Sequence, residues 1–239
     1  MADSFSAESP PALQAATVVI ARPGDDGPEI YMLRRSAKSP FMPSTLVFPG
    51  GRLDPEDGTP DADATWERAA RRECLEEAGV DLGGRPLTWF DTWLTPSAES
   101  RRRYLARFFL ARLDRGEGDE ARADGHETHE GRWSSIGTHL RAWDAGDVDL
   151  PPPTLCTLLQ LERLGRTDAQ LRQHFADEAP RDVILPKVLL RDGQVFIVMP
   201  HDPEYDAIAG DARPAPSRVH DHPMRFVRDE RVWRPCSTR

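Results

Sequence analysis

Apolar and polar positions follow two different periods along this chain, and the switches between them mark out its elements. Residues 15–21 form a β-branched apolar run and 29–34 a second apolar stretch, with Gly24-Asp25-Asp26-Gly27 between them, which predicts a hairpin. A short strand over 46–48 feeds Pro49-Gly50-Gly51, and 54–63, rich in Pro, Asp and Gly, reads as loop. From 63 to 78 the apolar spacing becomes helical. Ala70, Cys74 and Ala78 make a stripe, Asp63 or Thr65 supplies an N-cap, and Gly79 supplies the stop. Strands are predicted over 87–94, 104–113 and 130–136, and helices over 135–143, 154–164 and 167–175, the second entered through Pro153. Residues 183–190 and 194–199 flank Arg191-Asp192-Gly193 as a second hairpin. The last stretch, rich in Pro, His, Arg and Asp, has no assignable period.

Mixed strands and helices in this order predict an α/β fold. The expected division is a flexible tail over 1–14, one domain over 15–165, and an extension over 166–239 packed on it. At 239 residues there is enough chain for a proper core. The net charge of −9 argues against general nucleic-acid binding, which needs a basic face. No apolar run approaches the ~18 residues of a membrane span. Residues 1–11 lack the basic start and apolar core of a secretion signal, and Cys236-Ser237-Thr238-Arg239 lacks a peroxisomal Ser-Lys-Leu ending. Cys74, Cys156 and Cys236 are far apart and odd in number, without a Cys-x-x-Cys pair, which suits a reducing cytoplasm rather than a disulfide framework.

The chemistry concentrates in Arg72-Glu73-Cys74-Leu75-Glu76-Glu77-Ala78-Gly79-Val80. Residues three and four apart are neighbours on a helix, so Glu73, Glu76 and Glu77 share one side of it, where like charges repel. A cation would relieve that repulsion, and hard carboxylate oxygens suit magnesium, manganese or calcium. The plainer reading is a solvated acidic face, but Phe48-Pro49-Gly50-Gly51 upstream, a strand running into a tight loop, makes it much the weaker.

Glycine pair, short loop, then Arg-Glu-apolar-x-Glu-Glu-x-Gly-apolar resembles the signature of the Nudix hydrolases: Gly, five residues, Glu, seven residues, then the arginine segment. Gly51 fills the first position and Arg72 to Val80 complete the last, with Cys74 in the apolar place. Asp57 stands where the first Glu is expected, and the spacer of seven becomes fourteen residues, Gly58 to Arg71. The longer loop is similar to that of a subgroup resembling the peroxisomal coenzyme A diphosphatases. That subgroup carries a second motif, and Trp93-Leu94-Thr95, Ala98, Arg101 and Phe108 stand at its spacings, with Trp for one leucine and Ala for the serine.

The resemblance implies an α/β/α sandwich with a mixed sheet, here with additional C-terminal helices and a hairpin. It implies Mg2+ or Mn2+ held by Glu73, Glu76 and Glu77, with Arg72 restraining those glutamates. Gly50 and Gly51 would let the backbone pass close to metal or phosphate. The general base would be Glu76 or Glu77, or a later-loop acid, Glu127 or Glu130; solvated acids are an equal reading of that pair. His126 and His129 between them suit surface or supporting roles. Arg101, Arg102 and Arg103 are either a phosphate clamp or solvated cations. Most of the six tryptophans, like Phe41 and Tyr205, suit the core better than a base-stacking platform.

The expected substrate is a small nucleoside diphosphate derivative, first coenzyme A or acyl-coenzyme A, alternatively NADH, ADP-ribose or a nucleotide sugar. A non-catalytic nucleotide sensor is the competing class. Neither a nucleic-acid nor a membrane partner is expected, and the choice between monomer and homodimer is open.

Overall fold

The computed structural model describes residues 11–37, 44–98, 102–125, 128–164, 170, 183–212 and 222–237. Strand β1 (Leu13–Gly24) turns into β2 (Gly27–Arg35), but their antiparallel ladder runs only from Gly24–Gly27 back to Ala21–Ile30. Beyond it the intervening chain fills the gap. β3 (Leu46–Val47) pairs with β2, β4 (Gly50–Arg52) pairs with Ala15–Thr17 of β1, and Val18 N–H donates to Pro49 O at 2.8 Å. Gly50 must sit there without a side chain, because a Cβ would lie 2.5 Å from Ala16 O.

The rest of the main sheet grows outward on both sides. β6 (Tyr104–Arg112) runs parallel to β1, β5 (Thr88–Leu94) antiparallel to β6, and β8 (Val183–Ile184) parallel to β5. β7 (Thr128–Ser135) covers the free edge of β2. Helix α1 (Asp63–Ala78) packs on one face of this mixed sheet, burying Ala69, Ala70, Cys74 and Ala78 against Ala16, Val18 and Ile20. The small side chains let the helix lie close, and burial pushes the Cys74 thiol up to about 12. The opposite face is covered by α2 (Ile136–Asp144) and α3 (Pro152–Leu164), whose Leu155, Leu158 and Leu161 are buried.

A second, four-stranded antiparallel sheet follows, in the order β12-β11-β10-β9: β9 (Lys187–Arg191), β10 (Gln194–Val198), β11 (Arg225–Asp229) and β12 (Val232–Pro235). It joins the core through Ile197, Met199 and Phe226, and Trp143 Nε1 donates to Trp233 O at 2.9 Å.

Three expectations change. The strand foreseen over 183–190 is two, since Pro186 lies between the edge strand β8 and the hairpin strand β9. The unassigned tail contains β11 and β12. The N-cap position of α1 belongs to Ala62, with no side-chain cap; Asp63 instead reaches across to Arg107, while Thr65 is buried. The helix expected over 167–175 lies outside the described residues, Gln170 excepted. No helix among the described residues is long and apolar enough to cross a membrane.

Candidate active site

Where α1 ends, Gly79 takes the left-handed conformation (φ 66°) and its N–H returns to Leu75 O at 3.0 Å, a close that an L side chain would strain. The last turns of that helix face β4. Glu77, 9% exposed, accepts from Gly50 N–H at 2.9 Å. Glu73 lies directly over Gly51, so that a Cβ there would come within 2.4 Å of its carboxylate. The glycine pair therefore does two jobs. Gly50 allows β4 to touch β1, and Gly51 clears the space the glutamate occupies.

Arg72 gathers the carboxylates. Its Nη2 donates to Asp57 Oδ2 at 2.8 Å and Nε to Oδ1 at 3.3 Å, while Nη1 donates to Glu73 at 2.8 Å and Glu76 at 3.0 Å. A further bond from Nη2 to Arg52 O, 2.8 Å, ties the helix to the end of β4. These acceptors hold the guanidinium well above its usual range, its hydrogen bonds to Asp57 outweighing the cost of burial.

Two of the carboxyls held by Arg72 respond in opposite directions. Burial works against ionisation of Asp57, but hydrogen bonds from Arg72 and Asp54 N–H, with the charges of Arg72 and Arg68, outweigh it and lower its pKa. For Glu73 burial prevails over Arg72, and Glu76 and Asp54 add repulsion, so its pKa is raised. Glu76 is the most open of the set.

Among the described residues no three Asp, Glu, His or Cys side chains are arranged to cage an ion alone. The donors nonetheless fit a hard divalent cation. They are carboxylates, one is half-buried with its charge under-compensated, and a cradle beside it is kept clear by Gly51. Magnesium commonly takes one or two protein carboxylates and completes its shell with water and substrate phosphate.

The remaining sequence-predicted residues are dispersed. Arg103 is buried, donating from Nε to Thr95 O at 2.9 Å and pairing with Asp211 at 3.2 Å. Glu130 is exposed on β7 opposite Arg34. Its neighbours Gly131 and Trp133 oppose Leu33 and Tyr31, which pack on the α1 side, so alternation points Glu130 to the other face. Arg101, Glu127, His126 and Phe41 lie outside the described residues. The Arg107 guanidinium lies over the rings of both Trp66 and Trp89, with centroids 4.2 and 3.9 Å away. Tyr205 is buried and its hydroxyl donates to Leu185 O at 2.6 Å.

Sequence reasoning missed Arg68, whose Nε donates to Asp57 O at 2.6 Å, and Asp211, the partner of Arg103. Position 68, one turn before Arg72, was a readable signal; nothing in the chain announced position 211.

A glutamate-rich helix is thus laid against a glycine loop on a split mixed sheet. A sequence model of the NUDIX domain matches residues 12–149, and the chain belongs to that family. A Caenorhabditis elegans protein whose name places it among the nudix hydrolases is 29% identical over 172 residues, 56% of this chain and 56% of that protein. The match thus spans little more than half of that relative. The crystal structure of a NUDIX hydrolase from Alicyclobacillus acidocaldarius shares the Nudix α/β fold with a TM-score of 0.54. It is 23% identical and covers 62% of this chain and 90% of its own.

Proposed function

We propose that this protein is a metal-dependent diphosphatase that hydrolyses a nucleoside diphosphate linked to another group, with coenzyme A or acyl-coenzyme A as the leading substrate. The observation that carries the reading is the Arg72 cluster. Although the loop is lengthened and Asp57 replaces a glutamate, Arg72 still reaches Asp57, Glu73 and Glu76 together, at 2.8 to 3.0 Å.

In this reading Glu73, Glu76 and Glu77 would hold Mg2+ or Mn2+. A bound divalent ion neutralises phosphate oxygens and makes an attacking water more acidic. The chain's own residues do the rest. Arg72 keeps Glu73 and Glu76 from splaying under their mutual repulsion, and the Gly50 amide orients Glu77. Water adds to one phosphorus, the bridging P–O bond breaks, and the water's proton passes to a carboxylate. Glu76, the most exposed of the three glutamates, is the base best placed to exchange that proton with solvent, with Glu77 and Glu127 as the other candidates; Glu130, on the face of the sheet opposite α1, is set aside. From coenzyme A the products would be a phosphopantetheine and adenosine 3′,5′-bisphosphate.

The coenzyme A preference rests on the second motif in the β5–β6 hairpin. There Trp93 and Phe108 are buried, and Thr95 Oγ1 accepts from Tyr104 N–H at 3.2 Å. Arg103 is buried and tied to Asp211, which leaves Arg101, outside the described residues, as the proposed phosphate contact. Presence of all three helix glutamates favours turnover over a silent sensor.

The test is product release from coenzyme A, an acyl-coenzyme A, NADH, ADP-ribose and a nucleotide sugar, with Mg2+ or Mn2+, beside Glu77→Gln. Preference for the coenzyme A compounds, lost in the variant, is the expected result. Preference for another compound overturns the substrate, and binding without turnover overturns the enzyme.

A further inference from the structure

One turn before Arg72, on the same side of α1, stands a second arginine outside the motif residues. Arg68 Nε donates to the main-chain oxygen of Asp57 at 2.6 Å, and Nη2 to Thr65 Oγ1 at 3.2 Å. Gly58 lies against this contact: a Cβ there would lie 2.6 Å from Arg68 Nη2 and 2.8 Å from Thr65 Oγ1. Gly58 also has φ +119°, which side-chain-bearing residues seldom adopt. The fourteen-residue spacer therefore begins on a glycine seated against Arg68.

This arrangement answers a geometric need. Aspartate is one methylene shorter than glutamate, so Asp57 reaches Arg72 only if its own backbone is brought near the helix. The turn Pro55–Asp57 begins that approach, with Asp54 N–H donating to Asp57 Oδ2 at 2.9 Å. Arg68 completes it by holding the Asp57 carbonyl.

Building on the functional reading above, we infer that Arg68 is a positioning residue for the metal-binding carboxylates. It fixes the main chain of Asp57, Asp57 fixes Arg72, and Arg72 fixes Glu73 and Glu76. The role requires a planar fork. A guanidinium can donate in two directions at once, toward Asp57 O and Thr65 Oγ1, whereas a lysine ammonium on a flexible stem cannot reproduce both from that place.

The experiment compares wild type with Arg68→Lys and Arg71→Lys. The control, Arg71, is on the same helix but donates to Gly83 O and Arg85 O, away from the carboxylates. Mn2+ binding without substrate is followed by electron paramagnetic resonance, and the Arg72 Nε–H by 15N NMR. Arg68→Lys should weaken Mn2+ binding about tenfold, the size usual for groups that orient metal ligands. It should also cost the Arg72 Nε–H its protection from exchange, while Arg71→Lys leaves both readouts unchanged. Wild-type Mn2+ affinity together with a protected Arg72 signal in Arg68→Lys would overturn the inference, even if stability falls.

If wild type neither binds Mn2+ nor turns over any diphosphate, the functional reading fails. The positioning link is then decided by the Arg72 signal alone, lost in Arg68→Lys if it holds and retained if it does not. Should Arg68→Lys fail to fold, Thr65→Val removes the second hydrogen bond of Arg68 and carries the same readouts, with a two- to threefold effect expected.

Discussion

Two arginines in this molecule collect carboxylates, with opposite results. In the C-terminal sheet region Arg225, 3% exposed, grips Asp202 through Nε at 3.0 Å and Nη2 at 2.9 Å, and Nη2 also meets Glu204 at 2.9 Å. Arg191 meets Glu204 as well, at 3.2 Å, so two cations face two anions. Glu204 is lowered there by hydrogen bonds from Arg225 and Arg191. At the end of α1, Arg72 faces Asp57, Glu73 and Glu76, and Glu73 is raised. The first group is balanced and serves the fold. The second keeps an excess of negative charge at a cleared surface, and that excess makes it a candidate for chemistry.

The largest effect expected from disturbing this contrast is on the balanced side. Arg225→Ala leaves Asp202 buried and unpaired and should cost about 3–5 kcal/mol in urea unfolding, with turnover per folded molecule unchanged; loss of turnover at full stability would reverse the assignment of roles. Next is Arg72→Ala, for which kcat/KM should fall roughly 100-fold, the scale of a lost charge-orienting donor, with a much smaller change in stability. An equal loss in both properties would make Arg72 merely structural.

Glu73→Gln should stabilise the apo protein, by on the order of 1 kcal/mol, while removing turnover. The sign follows from the raised carboxyl. Wild type binds a proton at position 73 more tightly when folded, so its stability falls as pH rises through the folded pKa. The advantage of the variant should therefore be present at pH 7 and vanish near pH 4, measurable by unfolding at both. A variant no more stable than wild type at pH 7 would remove the charge excess. Added Mn2+ should raise the melting temperature of wild type and leave that of Glu73→Gln nearly unchanged. The smallest effect belongs to Glu204→Gln, a half-exposed partner, whose melting temperature should drop by no more than about 2 °C.

Helix α1 was legible from the sequence to both of its bounds, because a small-residue stripe and a terminal glycine are local signals. The expectation that Glu73, Glu76 and Glu77 share one side of α1 rested on spacing that is equally local. Their distribution between Arg72 and Gly50 was not, since it depends on β4 being drawn against β1. Arg103 shows the limit most plainly. Within a run of three arginines it reads as a clamp or a solvated cation, yet its acidic partner, Asp211, lies far along the chain. Strands β11 and β12 were hidden for another reason. Arginines interrupt Phe226, Val227, Val232 and Trp233, and the intervening turn uses Glu230 at φ 47° where a glycine would have marked it.

The packing of the three cysteines makes this protein convenient to watch. Burial raises all three thiols, but Cys74 and Cys156 are buried, whereas Cys236 is half-exposed just beyond β12. A thiol-reactive dye added to the native protein should therefore attach at position 236 alone. Such a label would report on the Arg225 sheet, whose Arg225 carbonyl accepts from Cys236 N–H at 3.0 Å, independently of events at the glutamates.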